Sequence, residues 1–399
     1  MRKIILALML TSQVGMFAQE PQTASDSISK PVISFNKQKL LNDVDVIFNT
    51  RFGFDNHFSD GTFTNSEFNN NQFRLEIKGK IHDRVYFRFR DRYTQQSEIG
   101  SRDHITRGTD MAFIGVYVTP NTRVDIGKMS ADWGGYEFDM NPIDILEYND
   151  ILNNADNFLT GVGVTHKLKN GHSFGLQVLN SRTKSFEEQY VGYDISELEK
   201  AKAPFAFVGN WRGTFFDGKF ETNYSYSYFQ EAKDNAMNYV SLGNKYQDSK
   251  LTLMYDFQYS HENIDRKGIT SRIINAKADR DVLDYKGDVL AKDVSYMDNW
   301  FRADYLVTPK VNLSLTLMTS NAYGKDIAGE GSGTDRLSTS YGFIPAVQYL
   351  PFKDMNIRFY VSYVGRYYNY SSLAKDKFGL ENYNTGRLTI GFIAPLLIL

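Results

Sequence analysis

The chain of 399 residues has no cysteine, only nine prolines and no apolar run long enough to form a membrane-spanning helix. The missing cysteines exclude disulfide scaffolds, thiolate metal sites and cysteine nucleophiles. A helical membrane protein needs apolar runs of about 20 residues, so that class is excluded as well. The formal net charge of −2 gives no support for a nucleic-acid-binding protein, which should carry a basic patch.

What the chain has in abundance is aromatic side chains, with 26 tyrosines and 29 phenylalanines. Disordered chains are poor in such residues, so a disordered protein is excluded. The mean hydropathy is nevertheless low, at −0.42. Many rings in a polar chain require a fold that keeps the apolar and polar side chains on separate faces.

The first residues predict export from the cytoplasm. Arg2 and Lys3 precede an apolar run over residues 4–10, and Met16-Phe17-Ala18 resembles a cleavage site. The run is too short to span a bilayer, so we interpret residues 1–18 as a secretory signal peptide. Residues 19–43 are expected to form a periplasmic lead-in, and residues 44–399 a single barrel domain.

From residue 44 onward, apolar and polar residues alternate. Val44, Val46 and Phe48 share one parity, and Asp45 and Asn49 share the other. The same alternation recurs in further segments, namely 73–78, 84–90, 220–228, 251–260, 311–317 and 357–366. Successive side chains of a strand point to opposite faces, so the pattern predicts strands with one apolar and one polar face.

The spacing of turns predicts how the strands are connected. Short turns are predicted at residues 81–83, 120–121, 169–171, 217–218, 243–244, 308–310 and 351–354. Longer polar connections are predicted at residues 55–70, 93–110, 129–160, 181–203, 230–238, 260–297, 320–336 and 368–384. Alternating short and long connections indicate an all-β transmembrane antiparallel barrel of about 16 strands, with short periplasmic turns and long outer loops.

Since the aromatic parity faces lipid in such a barrel, the other parity lines the lumen. Its basic residues are predicted to be Arg51, Arg74, Lys78, Arg84, Arg88, Arg90, Arg92, Arg123, Arg212, Arg302, Arg358, Arg366 and Arg387. A net positive wall favours the passage of anions. The alternative is that these charges pair across strands and only keep the wall wet.

The third long connection, residues 128–160, contains apolar residues that are unusual in a solvated loop. Trp133, Phe138 and Ile143 are examples, and Gly134-Gly135 provides a pivot. We expect the connection to fold into the barrel and narrow it, with one or two helical turns after Asn141-Pro142. The alternative is an outer loop that packs on its neighbours or contacts another subunit.

In this region the chain resembles the phosphate-selective porin O and P family, especially its Bacteroidetes-type versions. The resemblance rests on the strand layout and on Gly134-Gly135, Glu137-Phe138, Asn141-Pro142, Glu147-Tyr148, Phe158 and Gly161-Val162. It implies a sixteen-stranded barrel in the bacterial outer membrane, usually a homotrimer, with the third loop in the lumen. It also implies a passive diffusion channel for small polar or anionic solutes such as phosphate.

The third connection is acidic, since residues 129–160 contain no lysine or arginine. The constriction residues are predicted to be Lys128, Asp132, Glu137, Asp139, Asp144, Glu147 and Asp150, and Asp156 follows as a further acid. An acidic loop opposite a basic wall would create a transverse field across the pore. The sequence therefore predicts only a weak anion preference.

The chain shows no sign of catalytic or metal chemistry. Its six histidines lack metal-ligand spacing, and no nucleophile elbow or Walker-type loop occurs. We therefore predict no enzyme activity, metal or cofactor, and membrane lipid and small solutes as partners. Two rival hypotheses are a non-conducting barrel that acts as a surface receptor or adhesin through its long loops, and a soluble secreted β-protein.

Overall fold

The computed structural model describes residues 44–94, 108–280 and 285–398. The predicted signal peptide and lead-in lie outside these residues, so both stay predictions. The strands are β1 (Val44–Ser59), β2 (Thr62–His82), β3 (Val85–Arg92), β4 (Gly108–Thr119), β5 (Thr122–Ser130), β6 (Phe158–Lys167), β7 (Ser173–Asn180), β8 (Tyr193–Asp194), β9 (Phe205–Phe215), β10 (Phe220–Ala232), β11 (Asn235–Gln247), β12 (Leu251–Ile264), β13 (Asp288–Val289), β14 (Lys292–Thr308), β15 (Val311–Lys325), β16 (Thr334–Tyr349), β17 (Arg358–Tyr370) and β18 (Tyr383–Leu397). The short α-helices are α1 (Tyr136–Asp139), α2 (Asp150–Asn153), α3 (Phe186–Gln189), α4 (Ile269–Ile274) and α5 (Ser372–Phe378), with a 3-10 helix at Pro142–Asp144. Within the described residues, no helix is both long enough and apolar enough to cross a membrane.

Sixteen of the strands form one closed antiparallel barrel, which confirms the predicted fold class. The remaining two, β8 and β13, pair parallel with each other outside it. The barrel closes where β1 pairs with β18, with Phe52 opposite Phe392 and Asn56 opposite Leu388. A closed sheet pairs every backbone N–H and C=O group of its strands internally, as hydrocarbon surroundings require.

The alternation of the sequence becomes the two faces of the barrel wall. In β17, Phe359 and Val361 are half exposed on the outside, whereas Tyr360 and Ser362 are buried inside. The apolar parity therefore faces outward along the barrel, and the polar parity faces a crowded interior.

One predicted turn is wrong, because Gly243 and Asn244 lie inside β11. The turn follows at Asp248, whose carboxylate accepts the backbone N–H groups of Lys250 and Leu251, each at 2.8 Å. The glycine has a packing role instead: a Cβ atom at Gly243 would lie 3.1 Å from Cδ2 of Tyr136, a residue inside the barrel. The glycine that suggested a turn is therefore required by the close approach of Tyr136 to β11.

Two predicted long connections, 55–70 and 230–238, are also wrong, because the strands continue through them. The hairpins turn tightly at Asp60-Gly61 and at Asp234, where the backbone has positive φ values of 48, 75 and 59°. Glycine and aspartate tolerate this conformation better than most residues. β2 has 21 residues, and crossing a bilayer takes about 9–11. The β1–β2 hairpin therefore projects beyond the membrane.

Three of the other long connections build an outer cap from residues 181–204, 265–280, 285–291 and 371–382. Most of the predicted connection 93–110 lies outside the described residues. The centre of the cap is charged and buried: Arg266 pairs with Glu231 and with Asp156, and Lys267 pairs with Glu262. Asp156 belongs to the connection between β5 and β6. The cap therefore rests on the segment that occupies the barrel interior.

The closure of the barrel can be tested with two introduced cysteines, since the natural chain has none. Asn56 and Leu388 are direct partners across the β1–β18 seam. Directly paired residues lie within disulfide range, and diagonal ones about 7–8 Å apart do not. Asn56→Cys with Leu388→Cys should therefore form an intramolecular disulfide, seen as a gel shift reversed by reductant.

The matched control combines Asn56→Cys with Ile390→Cys, which is shifted by one pair along the same face. This variant should cross-link much less. Preferential cross-linking of the shifted pair, or none in either folded variant, would contradict the seam.

Candidate functional site

Residues 131–157, here called the inner segment, connect β5 to β6 and run through the barrel interior. Trp133, Ile143 and Ile151 are completely buried. The segment bonds to inward-facing residues of strands on opposite sides of the barrel, from Arg51 on β1 to Asp256 on β12. The third connection therefore folds into the barrel, as expected, rather than forming an outer loop.

Small inward residues on β10–β12 make room for the segment. Ser225 donates to the carbonyl oxygen of Trp133 at 2.6 Å, and the Trp133 ring stacks on Tyr239 at 4.4 Å between centroids. Tyr136 fits against Gly243, which has no side chain. The β10–β12 side of the interior is therefore filled.

Two wall carboxylates receive the helical turns of the inner segment. Asp256 accepts the backbone N–H of Glu137 at the start of α1 at 2.6 Å, and Asp298 accepts that of Ile151 in α2 at 2.8 Å. Free N–H groups at a helix start favour a negative partner. Sequence reasoning did not find this role of Asp256 and Asp298, because only their contacts in the folded barrel reveal it.

The first of the helical turns predicted after Asn141-Pro142 is a 3-10 helix of three residues. Asn141 does cap the 3-10 helix, with its side chain accepting the Ile143 N–H at 3.3 Å. Arg51 then donates to the carbonyl oxygens of Ile143 and Ile145. Because these carbonyls bond to the wall, they cannot continue a helix.

Wall arginines hold the acids of the inner segment. Arg366 lies 2.6 Å from Asp150, and Arg387 lies 3.2 Å from Glu147. The other direct contacts are Arg212 with Asp139, Arg358 with Asp144, and Arg302 with the backbone oxygen of Asp144. The expected opposition of acidic loop and basic wall is thus a set of ion pairs.

The remaining acids of the segment are also accounted for. Asp132 lies 4.0 Å from Arg212, and Asp156 pairs with Arg266 of the outer cap. Glu137 is completely buried, and burial raises its pKa well above the usual range, with Asp256 and Asp298 adding to the shift. The segment therefore presents far less negative charge to the lumen than its sequence suggests.

Two predicted site residues lie elsewhere. Lys128 is not in the connection: β5 continues to Ser130, and Lys128 stands opposite Ala112 and Thr160, which are exposed on the lipid-facing side. Arg84 is exposed in the turn before β3 rather than on the strand. It shares the inward parity but lies at the periplasmic end.

The other predicted basic residues line the wall on β2, β3 and β5, here called the arginine wall: Arg74, Lys78, Arg88, Arg90, Arg92 and Arg123. Three of them share one carboxylate, because Arg74, Arg90 and Arg92 lie 3.4, 3.3 and 3.7 Å from Asp110. Arg74 also stands opposite Arg92 in the strand register, and like charges in that position destabilise a sheet. Asp110 escaped sequence reasoning, which placed it in a loop.

Four cavities follow one another along this side of the barrel. The outer vestibule, about 440 Å³, is lined by residues that include His57, Glu147, Arg366 and Arg387. The arginine cavity, about 80 Å³, is lined by Arg74, Arg88, Arg90, Arg92 and Tyr148. The lower cavity, about 80 Å³, includes Arg88, Arg123 and Arg212, and the periplasmic mouth, about 470 Å³, includes Lys80, Arg84, Arg123 and Lys167.

Comparison with known proteins places this geometry in context. The family model described as "Phosphate-selective porin O and P" matches residues 46–393. Curated proteins gave no match.

Several solved outer-membrane proteins are similar in fold. The channel DcaP of Acinetobacter baumannii has a TM-score of 0.58 at 10 % identity, over 91 % of this chain and 100 % of that one. The anion-selective porin of Comamonas acidovorans has a TM-score of 0.55 at 10 % identity, over 88 % and 98 %. The trimer form of OmpT of Vibrio cholerae has a TM-score of 0.50 at 10 % identity, over 88 % and 98 %. At such identities the likeness concerns the fold.

The ion pairs of the inner segment make a stability prediction. Arg212→Met leaves the buried carboxylate of Asp139 without its main counter-charge, and such a loss typically costs about 3–5 kcal/mol. The temperature at which the folded band on an SDS gel converts to the unfolded band should fall clearly. The double variant Arg212→Met with Asp139→Asn should recover much of the loss.

Arg280→Met is the matched control, because Arg280 pairs with Asp288 but is more than half exposed. Its conversion temperature should stay close to that of the wild type. Equal shifts in the two single variants would contradict a stabilising role for the inner pair.

Proposed function

Because the chain belongs to the phosphate-selective porin O and P family, a family of outer-membrane channels, we propose that it conducts small anions along its arginine wall. The protein is an outer-membrane β-barrel channel for passive diffusion. The anion preference and the path are the proposal. The observation that carries it is the sharing of the single Asp110 carboxylate by three guanidinium groups.

An unused hydrogen-bond donor supports this assignment. Nη1 of Arg74 is buried and has no hydrogen-bond partner among the described residues. Guanidinium groups bind oxyanions through paired N–H donors, which suits phosphate or carboxylate better than a spherical ion. Small oxyanions are therefore the proposed solutes.

The acidity of the inner segment no longer opposes anion passage. Its carboxylates contact wall or cap arginines, or are buried as at Glu137. We therefore propose that the arginine wall sets the sign of the pore, and the transverse field expected from the sequence is weak.

The sizes of the cavities support a narrow channel. Two cavities of about 80 Å³ each lie between the two wide ones of about 440 and 470 Å³. Such a passage suits small anions better than large solutes.

The fold and family favour a channel over an enzyme, and we propose that no catalysis accompanies passage. The non-conducting receptor is the second candidate function. The observation that favours it is the extent to which the inner segment and the outer cap fill the interior. A well-folded protein that leaves a bilayer insulating would support this candidate.

We also propose that the channel is a homotrimer joined through β4–β7. The outward residues of these strands are mostly aliphatic, namely Ile114, Val116, Val118, Ile126, Val162, Val164, Leu176 and Val178, each more than a third exposed, with Phe174 as an aromatic exception. Exposed aromatic residues are frequent on other strands, such as Tyr255 and Phe343. Aromatic side chains suit the membrane interface, and we propose that the mostly aliphatic face of β4–β7 packs on a second barrel.

Ion selectivity tests the proposed function. In a planar bilayer with a salt gradient, the reversal potential should show anion preference. One charge at about 4 Å in water contributes on the order of 1 kcal/mol, so Arg90→Gln with Arg92→Gln should lower the anion-to-cation permeability ratio by roughly two- to ten-fold. Arg280→Gln on the outer surface should leave it unchanged. Cation preference in the wild type would refute the proposal.

The subunit contact can be tested with one bulky residue. Leu176→Trp should disrupt a packed face, because overpacking typically costs about 1–3 kcal/mol. Val347→Trp on β16 faces outward to a similar degree and should be tolerated by lipid. Light scattering in detergent should find a trimer for the wild type and Val347→Trp, and smaller species for Leu176→Trp. A monomeric wild type would contradict the proposal.

A further inference from the structure

The path proposed above has one break. The arginine cavity and the lower cavity share Arg88, Met111 and Ser130. The lower cavity and the periplasmic mouth share Arg123 and Thr165. Among the described residues, the outer vestibule and the arginine cavity share no lining residue. These two cavities are therefore separated from each other.

Two consecutive residues of the inner segment stand on either side of this break. Glu147 lines the outer vestibule, and Tyr148 lines the arginine cavity. The Tyr148 ring also packs against both hydrophobic clusters of the interior, one around Trp133 and one around Trp300. It is the large side chain at the boundary.

The backbone around Tyr148 is fixed on both sides. Arg387 donates to the carbonyl oxygen of Leu146 at 2.7 Å. The Asn149 side chain donates to the carbonyl oxygens of Asn299 and Thr319, at 3.1 and 3.0 Å. The ring is thus held in place by its neighbours, and within the described residues its hydroxyl has no hydrogen-bond partner. The volume of the ring, rather than a bond from the hydroxyl, is therefore the feature that Tyr148 contributes at this boundary.

We propose that the Tyr148 side chain separates the outer vestibule from the arginine cavity and sets the size limit of the pore. This inference rests on the proposed anion channel and adds a residue that determines which anions pass. Removal of the ring joins two cavities that are otherwise separate.

Single-channel recording tests the proposal. Because pore diameter controls conductance, Tyr148→Ala should roughly double the single-channel conductance. It should also admit larger organic anions than the wild type passes. Tyr148→Phe keeps the ring and should behave as the wild type. Unheated SDS gels confirm that each variant is folded.

Tyr136→Ala is the matched control. Tyr136 is a buried aromatic residue of the same segment, but it packs on the filled β11–β12 side and lines none of the four cavities. Its removal should leave conductance unchanged. An increase in Tyr136→Ala without one in Tyr148→Ala would overturn the proposal and place the path on the other side.

Thiol modification provides a second readout that does not depend on the alanine variant. Since the chain has no cysteine, Tyr148→Cys creates a single thiol in the path. A small anionic methanethiosulfonate added to the outer side should reduce its current, and should not affect Tyr136→Cys. No block at position 148 in a conducting channel would overturn the size limit.

The outcomes separate this inference from the proposed function. An anion-selective wild type with an unchanged Tyr148→Ala refutes only the role of Tyr148. If the wild type is insulating and the Tyr148→Ala variant conducts, Tyr148 is supported as the obstruction and passive conduction by the wild type is refuted. An insulating wild type and an insulating Tyr148→Ala refute both.

Discussion

The rest of the structure depends on the requirement that every backbone polar group in hydrocarbon finds a partner within the protein. The β1–β18 seam meets it by closing the sheet. Closure divides each strand into a lipid face and an interior face, so the strongly polar residues must turn inward. A chain that is rich in rings and polar on average then needs no long apolar run. The interior therefore contains many charged side chains, and the ion pairs that they form determine how it is organised.

Two groups of arginines with different partners make the interior asymmetric. Those on β1, β9, β14, β17 and β18 bond to the inner segment, and they neutralise its acids or bind its carbonyl groups. Those on β2 and β3 have too few carboxylates, and Asp110 is shared three ways. The same side chain is structural on one wall and a candidate anion site on the other. The proposed path follows the cavities along the arginine wall, away from the filled side.

The sequence predicted the barrel, the strand number and the inward parity of most wall arginines, because alternation with period two depends only on local sequence. It misplaced the turn at Gly243-Asn244, since a glycine needed for close packing resembles a turn. It placed Lys128 in the connection, because polarity does not show where a strand ends. The ion pairs escaped it altogether: Asp150 and Arg366 are far apart in the chain, and only the closed barrel brings them together. The acids of the inner segment were therefore expected to oppose the basic wall, whereas in the structure arginines neutralise most of them.

The central claim is that the arginine wall, not the inner segment, sets the charge of the pore. Crystals of the protein soaked in selenate test it most directly, because the anomalous signal of selenium locates the oxyanion. The account predicts a peak in the arginine cavity, within hydrogen-bond distance of Arg74, Arg90 or Arg92. Selenate found only outside the barrel, with a cation located beside Asp110 by the same method, would contradict it.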